Sequence, residues 1–305
     1  MPDLPQRTET GADRVRPVSL ARRMLLASRP VSWINTAFPF AAAMLLTTGV
    51  IDARLVIGTL FFLVPYNLAM YGINDVFDYA SDAQNPRKGG IEGALLPPET
   101  HRATLAWSMG LALPFVVALV LLGSPASWAV LAVSLFAVVA YSAKGLRFKE
   151  VPVLDSITSS THFVSPAVYG LVLAGAEWTP QLALLLAAFF CWGMASHAFG
   201  AVQDVQPDRQ GGIHSIATAL GARGTVRLAI GLWAMAGGLM LLTPWPAWIA
   251  AIIAVPYIVL AAPFWRVTDE ESAAANRGWR RFLWVNYVSG FVVTMVSIAW
   301  AMGVR

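Results

Sequence analysis

Asn74-Asp75-Val76-Phe77-Asp78-Tyr79-Ala80-Ser81-Asp82 decides the reading of this chain. It ends one long apolar run and opens a polar loop. Asp204-Val205-Gln206-Pro207-Asp208 ends another run in the same way. Ionised carboxylates at a membrane boundary are costly unless positive charge sits between them. Five of them, with almost no lysine nearby, suggest a divalent cation. A cation held there can in turn hold a diphosphate, which points to chemistry on a phosphorylated lipid.

Working outward, the rest of the chain is apolar. Of its 305 residues, 57% are hydrophobic and only 12% charged, with a mean hydropathy of +0.61. A soluble domain carries about 25% charged residues. The apolar runs are about 20 residues long and continuous rather than alternating, so the spans are helices and the fold class is all-α, a polytopic membrane bundle. Nine spans are expected, near 31–50, 54–74, 102–122, 126–142, 153–175, 179–203, 225–243, 245–265 and 281–303. Gly123-Ser124-Pro125 and Thr243-Pro244-Trp245-Pro246 are tight turns between neighbouring spans. Residues 1–29 read as an arginine-containing cytoplasmic tail, ending in a short interfacial helix around Leu20 to Leu26. Residues 30–305 read as one membrane domain. The tail lacks the apolar core and small-residue cleavage site of a cleaved signal peptide. Cys191 is the single cysteine, so no disulfide forms within the chain.

The positive charges fit this topology. Of the 21 Lys and Arg, only Arg54 and Arg305 fall in loops on the far side. The positive-inside rule then puts the N-terminus in the cytoplasm and the C-terminus outside, with both acidic stretches opening onto cytoplasmic loops.

The two stretches also form an internal repeat. Asp78 and Asp82 share the spacing of Asp204 and Asp208. Each pair is followed by basic residues and a glycine pair, Arg87-Lys88-Gly89-Gly90 and Arg209-Gln210-Gly211-Gly212. Spans 2 and 6, four spans apart, would share one orientation and face one cavity.

Asp75, Asp78 and Asp82 follow i, i+3, i+7 and fall on one helix face, which Asn67, Tyr71 and Asn74 continue into the membrane. His197, Asp204 and Asp208 form a similar line in span 6. Pro207 cannot donate its backbone hydrogen bond, so the helix is expected to loosen near Gln206 and splay Asp208 toward a ligand. Mg²⁺ takes oxygen ligands, commonly one or two carboxylates plus substrate phosphates. Two facing clusters therefore suit Mg²⁺ ions bridging a diphosphate. The basic loop Tyr141-Ser142-Ala143-Lys144-Gly145-Leu146-Arg147-Phe148-Lys149 offers Arg147 and Lys149 to phosphate oxygens. Arg87, Lys88 and Arg209 are further candidate substrate contacts, and ordinary positive-inside anchoring is the rival explanation for the loop residues and for Arg87 and Lys88. Span 5 is unusually polar, and its Asp155 needs a partner, with Arg147 or Lys149 near in sequence. Walker, Rossmann, Ser-His-Asp and metal-histidine patterns are absent, and no nucleic-acid partner is expected.

Asn-Asp-x-x-Asp-x-x-x-Asp at 74–82, Asp-x-x-x-Asp at 204–208, Tyr-Ser…Leu-Arg-x-Lys at 141–149 and Asp208-Arg209…Ser215-Ile216-Ala217…Leu220-Gly221 together resemble the UbiA superfamily of intramembrane prenyltransferases. The resemblance covers nearly the whole chain after residue 30. It implies a cavity in a helical bundle and an isoprenoid diphosphate donor. It also implies Mg²⁺ and diphosphate on Asn74, Asp75, Asp78, Asp82, Asp204 and Asp208, and diphosphate contacts from Arg147 and Lys149. The stretch Asp75–Tyr79 with Asn85–Ala94 looks like the lycopene elongases of C50 carotenoid pathways, which implies C5 transfer from dimethylallyl diphosphate to lycopene, an apolar acceptor in the membrane lipid. Mg²⁺-assisted ionisation would give an allyl cation for the acceptor's π electrons to attack. The alternatives are an aromatic prenyltransferase for a quinone or tetrapyrrole and, in a different class, an ion-coupled transporter.

Overall fold

Prolines and glycines set the helix boundaries in an otherwise uniformly apolar chain. The computed structural model describes residues 19–83 and 95–303, which are helical with short connections. Arg87 and Lys88, and the carotenoid-elongase-like segment around them, lie outside the described residues.

The first helix, α1 (Leu20–Ala27), is capped by Ser19, whose hydroxyl accepts from the Arg22 N–H. It buries Met24 and Ala27 against Leu68 and Leu96. Arg29 then turns the chain through a left-handed backbone (φ 49°), and the segment Leu20–Ser32 meets α2 (Ile34–Thr48) at 61°. Next come α3 (Ala53–Leu63) and α4 (Pro65–Phe77), which make one span broken at Val64. A short α5 (Tyr79–Asp82) follows the second break, at Asp78. Then come α6 (His101–Leu122), α7 (Pro125–Ser142) and α8 (Leu154–Ala174). The second half comprises α9 (Pro180–Val202), a short α10 (Val205–Gln210), α11 (Ile216–Leu241), α12 (Ala254–Ala261) with 3₁₀ turns on both sides, and α13 (Asn276–Ala301).

Each of the nine expected spans has a helical counterpart. Among the described residues, however, seven helices are long and apolar enough to cross a membrane, or up to eight if the bent pair at Arg29 is one span. The shortfall is α8, which carries Asp155, His162 and a run of Ser and Thr. It tolerates them because it is packed against α2, α7 and α9 and buries most of its polar side chains. Ser134 Oγ donates to Ser165 Oγ at 2.6 Å, and Ser160 Oγ to the Phe190 carbonyl at 2.8 Å. Against Ser160 lies Gly193, where a Cβ would stand 2.3 Å from the Ser160 hydroxyl, so only glycine lets α8 and α9 approach this closely.

Each half has its own core. Phe40, Phe61, Phe62, Tyr66 and Tyr169 interlock in the first. Phe199, Trp233, Tyr257 and Phe282 interlock in the second. Burying such rings contributes roughly 1.5–3 kcal/mol each relative to water. Inside lipid that term fades, and close packing and satisfied backbone groups hold the helices together.

The Val64 break shows how backbone groups are satisfied. Pro65 cannot donate to the preceding turn. Around the break, Thr36 Oγ1 and Asn67 Nδ2 donate to the Phe62 carbonyl, at 2.7 and 2.8 Å, and Asn67 also donates to the Leu63 carbonyl at 3.1 Å. Asn67 is fully buried in this role and does not line the cavity described below, contrary to the expectation from its helix face.

Candidate functional site

A cavity of about 1570 Å³ runs between the two halves. Its mouth lies where α4 and α9 end, and there the two acidic stretches meet. Asp78, Asp82, Asp204 and Asp208 all line it, with Lys149 beside them. Below the mouth the wall carries Tyr71, Asn74, Tyr141, His162 and His197. Deeper still it becomes apolar and aromatic, with Phe189, Trp192, Trp233, Tyr257 and Phe282.

The helix breaks place the acids. Asp78 caps the C-terminus of α4, and Asp204 precedes the first turn of α10. The loosening expected at Gln206 occurs instead at Gln203–Asp204. A proline disrupts the turn on its N-terminal side, because its missing donor and its ring both act on the carbonyl four residues earlier. Pro207 therefore acts on Gln203. Asp208 remains helical, its N–H donating to the Asp204 carbonyl at 2.8 Å.

Asp75 departs from the expected common face. It is 1% exposed, lies behind the cavity wall, and accepts from Arg29 Nη2 at 2.9 Å. The Arg29 guanidinium lies over the Tyr71 ring, 4.1 Å from its centre, and itself lines the cavity. Arginine over an aromatic face is a favourable pairing. In the sequence Arg29 is one of six tail arginines, and nothing there separates it from the others.

The basic loop divides its labour. Arg147 takes a left-handed backbone (φ 45°) that carries Lys149 back over Asp78, with which it pairs. The Arg147 guanidinium pairs with Glu150 and stands 3.8 Å from Asp78. The hydrogen bond from Arg147 holds the Glu150 carboxyl below the usual carboxylate range. Lys149 lines the cavity, whereas Arg147 stands behind it.

Asp155 does not pair with Arg147 or Lys149. It is fully buried and accepts from the Ser156 and Ile216 N–H groups, both at 2.6 Å, with His197 Nε2 at 3.7 Å. It thus ties α8 to the N-terminus of α11, where a carboxylate is favoured by the helix dipole. The reason is geometric, since Arg147 is already engaged with Glu150. Arg209 also faces elsewhere. It donates to Asp269 at 2.5 Å and to the Thr218 carbonyl at 3.2 Å, and it is not on the cavity wall. Tyr141, Asn74 and His197 do line the cavity, and Ser142 Oγ donates to Asn74 Oδ1 at 2.9 Å. Gln203 is a further wall residue the sequence did not single out. It is held by Asn276, which donates to its side-chain oxygen.

An acidic mouth with an added cation, set on a deep apolar cavity in a membrane bundle, defines a site for a lipid with an anionic end. Residues 36–287 match the UbiA prenyltransferase family, and the chain belongs to that family. It is therefore a multi-pass membrane enzyme that transfers prenyl groups, which removes the transporter alternative. It is 51% identical to a lycopene elongase/hydratase of Corynebacterium glutamicum over 279 residues, covering 91% of this chain and 97% of the relative. It is 54% identical over 284 residues to the C(50) beta-cyclic carotenoids biosynthesis protein LbtBC of Dietzia sp., covering 93% of this chain and 66% of that protein. The fold matches the structure of a UbiA homolog from Archaeoglobus fulgidus bound to DMAPP and Mg²⁺, with a TM-score of 0.62 and 18% identity over 90% of this chain and 99% of that one.

Proposed function

We propose that this enzyme transfers a C5 dimethylallyl group from dimethylallyl diphosphate to lycopene. One observation carries the reading. Four carboxylates and Lys149 gather at one end of a cavity whose deeper wall is mainly apolar and aromatic. The relatives named for lycopene elongation and C50 carotenoid synthesis support the choice of acceptor.

The residues present fit Mg²⁺. Carboxylate oxygens are the hard ligands it prefers, and Asp78 and Asp82 on one side, with Asp204 and Asp208 on the other, would hold it. Among the described residues no three His, Cys, Asp or Glu side chains converge on one point. Mg²⁺ held by one or two carboxylates is commonly completed by substrate phosphates and water. Bound there, Mg²⁺ supplies charge neutralisation to the leaving diphosphate. Lys149 adds a point charge at the same end. The donor's C–O bond breaks, diphosphate leaves with the electron pair, and the terminal double bond of lycopene attacks the allyl cation. The aromatic wall keeps bulk water from the allyl cation while the acceptor attacks. In this reading the mouth and the N-terminus face the cytoplasm and the C-terminus lies outside, on the strength of the loop charges.

Membranes containing the protein, supplied with dimethylallyl diphosphate, Mg²⁺ and lycopene, should yield C45 and C50 carotenoids by mass. Prenylation of 4-hydroxybenzoate, with lycopene unchanged, would replace this reading with the aromatic one.

A further inference from the structure

We propose that His162 Nε2 is the proton acceptor that ends the reaction. The proposal rests on the reading above, prenyl transfer to a terminal alkene, and assigns the step that reading leaves open.

His162 lies on α8, 3% exposed, on the cavity wall. Its Nε2 is buried without a hydrogen-bond partner. With the hydrogen on Nδ1, the neutral ring keeps its lone pair on Nε2. A buried polar atom left without a partner is uncommon and asks for an explanation. A proton acceptor at work only during turnover supplies one.

The depth is right for that role. Tyr141 stands edge-on to His162, with ring centres 5.3 Å apart. Its neighbour Ser142 holds Asn74 at the mouth. His162 therefore lies on the cavity wall beside Tyr141, and in the proposed step it meets the reacting carbons rather than the diphosphate. His197 is differently engaged, since its Nε2 faces Asp155 at 3.7 Å.

Attack of the acceptor on the allyl cation forms one C–C bond and leaves a tertiary cation. That cation loses a proton from an adjacent carbon to Nε2, and the C–H electron pair closes a new double bond. Alternatively water adds its oxygen to the cation and gives its proton to Nε2, leaving a tertiary alcohol. The released diphosphate then carries the proton out through the mouth. Until the proton is taken, attack can reverse.

The test uses the full-length protein in nanodiscs with dimethylallyl diphosphate, Mg²⁺ and lycopene, and measures diphosphate released and carotenoid formed in the same tube. His162→Phe keeps the ring and removes both nitrogens. His162→Gln keeps a polar side chain without the imidazole and decides the matter if the Phe variant fails to fold. Loss of a positioned base typically lowers rate by about 10²–10⁴-fold. Both variants should continue to release diphosphate while carotenoid formed per diphosphate falls by about 100-fold, with the missing C5 unit recovered as dimethylallyl alcohol. A lost contact of a merely structural kind would lower both products together. That result, or an unchanged ratio, would overturn the proposal. A wild type that leaves lycopene untouched would overturn the acceptor reading and this assignment with it. A wild type that couples normally beside variants that also couple would overturn only the role of His162.

Discussion

Asp78 and Asp204 hold one backbone conformation, with φ/ψ of −99°/−3° and −98°/−1°. Each sits in a break between a long helix and a short one. In each case the N–H of the aspartate four residues on, Asp82 or Asp208, donates to its carbonyl at 2.8 Å. The repeat visible in the sequence spacing is thus also a repeat of local geometry, and the two half-sites face each other across the mouth.

Asp78→Asn and Asp204→Asn should each abolish carotenoid formation while leaving the protein in the membrane. Excess EDTA should do the same to the wild type, with activity returning on addition of Mg²⁺. Product masses and membrane abundance, measured together, check this. Substantial activity in either variant removes the metal-bridged diphosphate from the mechanism.

Lys149 and Arg147 should separate kinetically. Lys149→Ala loses a charge on the cavity wall and should raise the donor KM by about 10-fold or more, as for a charge-assisted contact of roughly 1.5–3 kcal/mol. Arg147→Ala should change it less, because that guanidinium is engaged with Glu150. Steady-state kinetics against dimethylallyl diphosphate distinguish them, and a reversed order would contradict the geometry.

Arg29→Met should lower thermal stability in detergent, since it removes a partner from the buried Asp75. Breaking a fully buried pair costs about 3–5 kcal/mol, and this partly exposed arginine should cost less. Adding Asp75→Asn to Arg29→Met should recover part of the loss. Additive losses would show that the two side chains are not coupled.

Asn67→Leu should act on stability and leave the donor KM alone, because it strips a donor from the Phe62 and Leu63 carbonyls at the helix break. An unsatisfied buried group costs about 1–3 kcal/mol. A changed KM with unchanged stability would return Asn67 to the substrate.

Asp269 accepts from the Ala222 N–H at 2.6 Å and from Arg209 beside Gly221, which turns α11 through a left-handed backbone (φ 70°). The Ala222 N–H first, and Arg209 after it, hold its carboxyl below the usual carboxylate range. A lowered folded-state pKa stabilises the protein above the unfolded value, and the effect is lost as pH falls through the folded one. Asp269→Asn should therefore lower the unfolding temperature at neutral pH and flatten its decline in acid. A parallel decline in both proteins would contradict the linkage.

The sequence made the bundle and the two acid pairs legible because apolar run length and carboxylate spacing are local signals. It left other points unread where distant groups decide. Asn67 and Asp75 share a helical face with the acids, yet Pro65 and Arg29 draw both away from the cavity. Asp155 has basic neighbours in sequence but takes one donor from the adjacent Ser156 N–H and the other from α11, 61 residues away. Arg29 becomes part of the site only because the chain bends by 61° around it. The polarity of α8 is visible in the sequence, but only its burial among three neighbours explains how it carries its histidine and hydroxyls.

The cavity changes character from charged to aromatic along its depth, and the two ends are built from different residues. Natural variation can therefore redraw the acceptor's half of the tunnel while the diphosphate's half stays fixed. Within one scaffold, the choice of molecule to be lengthened can be changed at one end while the chemistry that lengthens it is left alone at the other.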